Sequence, residues 1–474
     1  MSAKCWCVVC AFVGSLVGCS GDGNSPAVAG SGGMAGTNAS GGAVVSAGGA
    51  AAGTSSSSSG QASGAAAAVG GAGGSVPIGG GGAATVGGAG GSMPIGGTGG
   101  ASTAGSGGGL NVAGTGGGSG GSAPSNVWTG TWAASPQGCD GNFNQRTLRQ
   151  IVHTSIGGSS ARVRISNTFS GGAVQITDVH VARRTSGSSI DAATDRALTF
   201  DGKADVTIAA GMFAVSDGAT FTVAPLSDVA VSFFVVSHNG TTCHGAGFQT
   251  NYSVSGNMVS SASLAGAQTN DHFNFLSNLD VLNPDAEGAV VTLGASITDG
   301  FRAPADANRR WPNDLAVRLV MNSRVVGVLN QGISGDGVKN AVNRFDRDVL
   351  SQPNVKWVIF SDNAINDFGG FKPSAQTEID QMSTMMSKAH AKGVKFLCST
   401  LTPYEPAEPG RSTVNAFIRG SASGCDGIVD QDTATHDPAA PTHWLAAFNS
   451  GDSLHPNVAG LQAIADAVGL GLFK

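Results

Sequence analysis

The sequence predicts a mixed α/β protein in which an antiparallel β-sandwich precedes a domain built on a parallel β-sheet. Residues 126–286 show short stretches of alternating apolar and polar residues, separated by clusters of Asn, Gly and Ser, which is typical of antiparallel strands. Residues 287–474 instead alternate short apolar stretches with longer segments of helical spacing. Strands that alternate with helices favour a parallel sheet with helices on both faces.

The first 19 residues carry the pattern of a lipoprotein signal peptide. Lys4 precedes an apolar run that is too short to span a bilayer, which needs about 20 residues. The Leu-Val-Gly-Cys sequence that ends at Cys19 resembles a bacterial lipobox, so lipidation at Cys19 is expected. Cleavage as an ordinary signal peptide is the alternative. We expect an exported lipoprotein, at the outer membrane or cell surface, that contacts the membrane only through this anchor, and otherwise a secreted protein.

Residues 20–125 are expected to form a disordered linker rich in Gly, Ala and Ser. They contain no aromatic residue and a single charged residue, Asp22. Such a segment cannot bury enough apolar surface to offset the entropy lost on ordering.

The predicted elements of the folded part follow the apolar pattern along the chain. The sandwich strands include residues 161–165, 174–181 and 229–236. The second domain has predicted strands at 289–293, 325–329, 356–360 and 394–398, and predicted helices at 311–321, 375–392, 458–470 and around 414–418.

Charge and cysteine spacing argue against a nucleic-acid partner and against a zinc site. Lys4 and Asp22 are the only charged residues before residue 126, so residues 126–474 carry 24 Lys and Arg against 30 Asp and Glu. This mild negative charge gives no footprint for nucleic acid. Residues 126–474 have no Cys/His cluster with zinc-ligand spacing, so no zinc site is expected there.

Four cysteines fall in the folded part, and an even number in an exported protein permits two disulfides. They are Cys139, Cys243, Cys398 and Cys425. Three pairings are possible. Cys139–Cys243 and Cys398–Cys425 keep each bridge within one domain and are therefore favoured.

Three side chains offer the groups needed for acyl transfer through a serine ester. Ser296 follows the strand at 289–293 in a glycine-containing turn. His455 follows Asp452 by three residues in the last loop before the terminal helix, so one turn can carry both side chains. Taken alone, Ser296 is more typical of a helix N-cap, and the ordinary interpretation of the Asp/His pair is a surface pair that caps the helix after it.

Gly335 and Asn366 follow the next two predicted strands. Active sites of open α/β sheets lie at the carboxyl ends of the strands. A backbone N–H at Gly335 and the side-chain amide of Asn366 are candidate oxyanion donors there. A plain turn glycine and a local Asx turn are the ordinary interpretations of these two residues.

The blocks around these residues, in this order, resemble the SGNH (GDSL-type) hydrolase superfamily. Ser296, Gly335, Asn366 and His455 match its four named residues, with Asp452 as the acidic partner. Further segments are similar to a bacterial subgroup that joins a β-sandwich to the esterase domain and is grouped with acetylxylan-esterase-like enzymes. These segments are residues 128–136, 147–155, 166–169, 294–300, 308–312, 344–349 and 451–456.

The resemblance implies a three-layer α/β/α, flavodoxin-like hydrolase domain and a serine esterase without a cofactor. It implies catalysis by Ser296, Asp452 and His455, and an oxyanion hole formed by Ser296, Gly335 and Asn366. The expected substrate is an ester, such as the O-acetyl groups of acetylxylan. The alternatives are a lipid or aryl ester hydrolase and a catalytically idle surface protein that binds glycan. The oligomeric state has no signal in the sequence.

Two positions depart from the pattern of the superfamily. Ala295 stands where the first block has Asp, and Ala364 stands where the third block has Gly. The missing carboxylate is expected to weaken the support of the turn that carries Ser296. The extra methyl group is expected to shift Asn366.

Overall fold

A computed structural model of the protein describes residues 127–474. The predictions of a signal peptide at 1–19, of lipidation at Cys19 and of a linker at 20–125 lie outside the described residues. Within 127–474, a β-rich region precedes an α/β region, so the prediction of a mixed α/β protein with this order is confirmed.

The N-terminal region consists of short strands joined by turns. The strands are β1 (Trp128–Ala133), β2 (Gln137–Cys139), β3 (Arg146–His153), β4 (Gly158–Ser166), β5 (Val174–Ser186), β6 (Ser189–Ile190), β7 (Arg196–Leu198), β8 (Asp205–Ile208), β9 (Phe213–Val215), β10 (Ala219–Val223), β11 (Asp228–Ser237), β12 (Thr241–His244), β13 (Asn251–Ser255), β14 (Gln268–Asn270), β15 (Phe273–Asn274) and β16 (Leu276–Leu282).

These strands pair in an antiparallel manner in three sheets. The largest has the order β14-β13-β3-β11-β5-β6, with β7 and β8 also paired to β5. The second has the order β1-β16-β4-β10, and β9 pairs with β4. The third joins β15, β12 and β2. Apolar residues from the first two sheets, among them Val163, Val231 and Leu279, form one buried cluster, as expected for strands with one face toward a common core.

The C-terminal region alternates strands with helices. Its elements are β17 (Gly288–Gly294), α1 (Ser296–Asp299), α2 (Trp311–Met321), β18 (Val326–Gly332), α3 (Val338–Phe345), a π-helical segment at Asp346–Leu350, β19 (Val355–Phe360), α4 (Asn363–Gly369), α5 (Ala375–Ala391), β20 (Lys395–Ser399), α6 (Gly410–Arg419), β21 (Gly427–Val429), α7 (Gln431–Thr435), β22 (His436–Asp437), β23 (Ala440–Trp444) and α8 (Val458–Ala467).

The main sheet of this region has the order β18-β17-β19-β20-β21. All four neighbouring pairs are parallel. Every residue of β17 is buried, which accounts for its continuous apolar sequence. The turns after β17, β18 and β19 leave the same edge of the sheet, because their strands run in the same direction. The candidate residues of these turns are thereby brought together.

The β-rich region packs against β18, the edge strand of the parallel sheet. A side chain at Gly327 would overlap the carbonyl oxygen of Gly130 in β1, so the two strands approach closely only because residue 327 is glycine. The Val328 N–H donates to Ser155 Oγ at 2.9 Å, which satisfies a backbone donor of the edge strand. The two regions therefore share a continuous buried contact.

Both favoured disulfides are present. Cys139 is bonded to Cys243, and Cys398 is bonded to Cys425. None of the helices between residues 127 and 474 is both long and apolar enough to cross a bilayer.

Candidate active site

Ser296 lies in the tight turn between β17 and α1, as the first residue of α1. Its residue surface is 8% exposed, so the hydroxyl is reached from one side only. Glycine is required just before the turn, because a side chain at Gly294 would overlap the side chains of Thr298 and Asp362. A second glycine, Gly300, ends α1 with a φ of 103°, a conformation that favours glycine.

Ser296, His455 and Asp452 form a continuous hydrogen-bonded chain. Ser296 Oγ lies 2.9 Å from His455 Nε2, and His455 Nδ1 lies 2.9 Å from Asp452 Oδ2. Because a carboxylate can only accept, the Nδ1 proton points to Asp452, which leaves Nε2 facing the serine hydroxyl. The imidazole is thus oriented to withdraw the serine proton.

The loop that carries His455 holds Asp452 in its ionised form. Asp452 Oδ1 accepts hydrogen bonds from the N–H groups of His455, at 2.8 Å, and Leu454, at 3.0 Å. Burial alone would raise the pKa of Asp452, but these N–H groups and the imidazole hold it well below its usual value. The Arg302 guanidinium adds a bond of 3.2 Å to Oδ2. The carboxylate is therefore a fixed anion beside the imidazole.

An aromatic ring covers one face of the imidazole. The ring centroids of Phe301 and His455 lie 4.5 Å apart. This packing restricts the imidazole rotamers that break the hydrogen bond to Ser296. Phe301 and Arg302 directly follow the glycine that ends α1, so one short segment supports both His455 and Asp452.

Gly335 lies in the turn between β18 and α3 and adopts a φ of 81°. No atom lies within 4 Å of the position a Cβ would occupy, so the dihedral angle, not crowding, explains the glycine. The preceding residue, Ser334, donates from its N–H at 2.9 Å and from its hydroxyl at 2.7 Å to Asp299 Oδ2. Since Asp299 ends α1, this turn is held against the helix that begins with Ser296.

Asn366 lies in α4, after β19, as predicted for a third strand end. Its Nδ2 donates to the carbonyl oxygen of Asp336 at 3.0 Å. Asp336 follows Gly335, so this bond brings the Asn366 amide to the Gly335 turn. Ala364 is 2% exposed and lies in the same helical turn. The structure therefore places the loops of all three oxyanion candidates against one another.

The remaining histidines have other neighbours. His153 contacts Asp228, and His180 contacts Asp195, both in the β-rich region. His390, which lies in α5, contacts Asp426. Among the described residues, His455 is the histidine that contacts Ser296.

Arg344 is a supporting residue that sequence reasoning did not identify. Its Nη2 donates to the Gly294 carbonyl at 3.0 Å, next to the turn of Ser296. Its Nε donates to Asp336 Oδ2 at 2.8 Å, next to Gly335. One buried guanidinium thus braces both turns. The only signal in the sequence was its place in a segment, residues 344–349, that carries the family resemblance.

His244 is a second residue that was missed, and it comes from the β-rich region. Its Nε2 lies 2.9 Å from Asp299 Oδ1, and its Nδ1 lies 3.0 Å from the Ser135 carbonyl. Both ring nitrogens face acceptors, so the imidazolium form satisfies both. Burial opposes the charge, but Asp299 outweighs it and raises the pKa of His244. The bond links β12 to the end of α1.

A buried pair of carboxyl groups, Asp367 and Glu378, begins at the residue after Asn366. Glu378 of α5 is 4% exposed. Burial and the neighbouring Asp367 raise the pKa of Glu378 to about 7. Burial also raises the pKa of Asp367, which accepts a 2.7 Å hydrogen bond from the Val338 N–H at the start of α3.

Within residues 127–474, no group of three or more His, Cys, Asp or Glu side chains is arranged to hold a metal ion.

Comparison with known proteins gives a family match for most of the α/β region. Residues 292–463 match the GDSL-like Lipase/Acylhydrolase family. No curated protein matches the chain.

Several solved structures are similar to part of the chain. A lipolytic protein of the G-D-S-L family from Desulfitobacterium hafniense DCB-2 is 21% identical over 38% of this chain and 97% of its own, with a TM-score of 0.33. TesA is 19% identical over 38% and 95%, with a TM-score of 0.32. A variant of Axe2, an acetyl-xylooligosaccharide esterase from Geobacillus, is 19% identical over 38% and 92%, with a TM-score of 0.31.

Proposed function

Because residues 292–463 carry a domain of the GDSL-like lipase/acylhydrolase family, we propose that this protein hydrolyses carboxylic esters through an acyl-enzyme on Ser296. One observation carries the proposal: the hydrogen-bonded chain from the Ser296 hydroxyl through His455 to Asp452, with 2.9 Å at each step. A hydroxyl, a neutral imidazole and a fixed carboxylate in this order form the set that activates a serine nucleophile.

In the first step, Ser296 Oγ attacks the carbonyl carbon of the ester while His455 Nε2 accepts the serine proton. Asp452 keeps the imidazole in the required tautomer and stabilises its charged form. The imidazolium then gives the proton to the departing alcohol, which leaves an ester between the acyl group and Ser296. In the second step, water attacks this ester with His455 again as the base, and the carboxylic acid is released.

Three donors are proposed for the oxyanion: the Ser296 N–H, the Gly335 N–H and the Asn366 amide. The hydrogen bonds among the three turns support this assignment, since they gather the donors at one sheet edge. One such donor contributes about 3 kcal/mol to transition-state stabilisation. No cofactor is required by this mechanism.

For the substrate, we propose O-acetyl groups on a polysaccharide such as acetylxylan. The sequence resemblance to acetylxylan-esterase-like enzymes and the expected export of the chain support this choice. A lipid or aryl ester is the second candidate for the same machinery. Release of acetate from acetylated xylan, compared with turnover of nitrophenyl esters of increasing chain length, separates the two. Glycan binding without hydrolysis of any of these esters would favour an idle binding protein.

The remaining features of the proposal concern the architecture and the location. We propose that residues 287–474 form the three-layer α/β/α hydrolase domain and residues 126–286 a β-sandwich domain. The buried parallel strands and the antiparallel sheets support this division. We also propose export and a lipid anchor at Cys19 as the only membrane contact, with no nucleic-acid partner, on the support of the sequence pattern.

The proposal is tested by replacing Ser296 with Ala in the full chain and measuring hydrolysis of nitrophenyl acetate. We expect at least a roughly 1,000-fold loss of kcat, because the nucleophile is removed. Ser399→Ala is the matched control, since Ser399 is also buried but its hydroxyl has no hydrogen-bond partner among the described residues. A Ser296→Ala variant that hydrolyses the ester at nearly the rate of the control would exclude the proposed mechanism.

A further inference from the structure

We propose that Asp362, in the turn after β19, is a positioning residue that caps the helix beginning with Ser296 and so fixes Ser296 for attack. This inference rests on the proposed function, because it assigns a role in presenting Ser296. It concerns a residue outside the catalytic chain of Ser296, His455 and Asp452.

The helix that begins with Ser296 needs a cap from outside its own sequence. The first N–H groups of any α-helix have no partner within the helix. An N-cap residue with a side-chain oxygen usually satisfies one of them, and Ser, Thr, Asp and Asn are preferred there. The N-cap residue of α1 is Ala295, which makes no side-chain capping bond because it has only a methyl group.

Asp362 supplies the missing acceptor from the end of β19. Its Oδ2 accepts from the Ile297 N–H at 2.9 Å. Ile297 is the second residue of α1, and its N–H is one of those that an N-cap side chain normally binds. Oδ1 of Asp362 accepts from the Ala295 N–H at 3.1 Å and from the Thr298 hydroxyl. A carboxylate about 65 residues away in the sequence therefore performs the function of the N-cap.

The bonds of Asp362 leave one donor of the turn for the substrate. The N–H groups before and after Ser296 both donate to Asp362. The Ser296 N–H, which lies between them, donates to no other residue that the structure describes. The carboxylate thus fixes the peptide units on both sides of Ser296 and keeps the intervening N–H available for the oxyanion.

Because Asp362 is buried, its hydrogen bonds are strong and the residues beside it are restricted. Asp362 is 2% exposed, and hydrogen bonds to an ionised acceptor in such surroundings are shorter and stronger than neutral ones. The close approach also requires glycine at residue 294, where a side chain would overlap Asp362. Ala295 itself offers the turn no carboxylate, so the turn depends on Asp362 for one.

The first test is Asp362→Asn in the full chain. The amide keeps the shape of the side chain but turns an NH₂ group toward N–H donors, so at least one of the bonds is lost. We expect kcat for nitrophenyl acetate to fall by roughly 10- to 100-fold, since small displacements of a reacting group have effects of this size, while KM changes less than about twofold. Asp430→Asn is the matched control, because Asp430 caps α7 away from Ser296.

The second test places a carboxylate at residue 295. In Ala295→Asp/Asp362→Asn, an Asp at the N-cap can accept from the start of α1 directly, so kcat should recover by at least about fivefold over Asp362→Asn. General loss of stability would not be reversed by this second substitution, and thermal melting followed by circular dichroism checks that each variant is folded. Unchanged kcat in Asp362→Asn, or no recovery in the double variant, overturns the inference.

These outcomes are distinguishable from a failure of the proposed function. If Ser296→Ala is inactive while Asp362→Asn has the normal kcat, the esterase mechanism holds and the positioning role is wrong. If Ser296→Ala itself remains active, the proposed function fails first.

Discussion

Replacing Arg344 with Met should destabilise the protein and disturb both turns of the site at once. Arg344 is 5% exposed. It donates to Asp336 Oδ2, at 2.8 Å, and to Asp348 Oδ2, at 3.2 Å. It also donates to the carbonyl oxygens of Gly294, at 3.0 Å, and Gln331, at 2.7 Å. Met has a similar length but no donor, so all of these acceptors lose a partner.

The size of the effect depends on which hydrogen-bond partners Asp348 and Asp336 keep when the guanidinium is removed. Asp348 keeps two hydrogen bonds from Arg347, at 2.6 and 2.8 Å, and remains compensated. Asp336 keeps only the neutral side chains of Asn363, at 3.4 Å, and Asn340 as side-chain partners. Breaking a buried ion pair by removing one partner costs about 3–5 kcal/mol, because the other charge stays buried without compensation. We therefore expect the free energy of unfolding to fall by about 3–5 kcal/mol.

Urea denaturation followed by both tryptophan fluorescence and circular dichroism measures this difference, and nitrophenyl acetate turnover measures the effect on the site. Lys388→Met is the matched control, since it breaks an exposed ion pair with Asp346 at 2.8 Å and should cost about 1 kcal/mol or less. A fall of less than about 1 kcal/mol in Arg344→Met, together with unchanged kcat, would refute the assigned role of the guanidinium.

Two further predictions concern pH. Because the pKa of Glu378 is raised to about 7 in the folded protein, the folded state binds a proton more tightly than the unfolded chain, and stability should decline between about pH 4.5 and pH 7. Glu378→Gln should flatten urea midpoints over this range, and an equally steep decline in the variant would contradict the assignment to the pair with Asp367. The raised pKa of His244 stabilises the fold below about pH 6.5, and this contribution is lost as the pH rises further. His244→Gln should remove that loss from urea midpoints measured as the pH rises above about 6.5, whereas a full loss in the variant would show that the contact with Asp299 is not its source.

The first four strands and the four longest helices of the α/β region could be predicted because their signals are local. The apolar spacing at 311–321 gives α2 with the same bounds as in the structure. The helix expected at 375–392 is α5, which ends one residue earlier. The short apolar runs at 289–293 and 356–360 lie within β17 and β19. Periodicity and burial agree in these segments, so local pattern and tertiary packing favour the same state.

Other elements had no such signal. The helix α3 and the π-helical turn after it, which together carry Arg344 and Asp348, are rich in polar and charged residues, and their place was not predicted. The buried charges of this segment are satisfied by β-rich and α/β residues far away in the sequence, such as Ser135. Periodicity along the chain contains no information about such partners.

The candidate site was predictable to the extent that its residues follow strand ends. The order and spacing of the blocks identified Ser296, His455 and Asp452, and the structure brings these three together. The supporting residues Asp362 and His244 were missed, because each acts on a turn more than 50 residues away. An aspartate after a strand and a histidine after a cysteine are too common to indicate such contacts.

The contact of the β-rich region with β18 has a consequence for how the chain can be divided. On its outer side, β18 has no parallel neighbour, and its Val328 N–H is bound instead by Ser155. A polypeptide beginning near residue 287 would leave this row of backbone donors and acceptors open to water and to other copies. Open strand edges of this kind recruit further strands and promote aggregation. The β-rich region therefore shields this edge of the parallel sheet from pairing with strands of other copies.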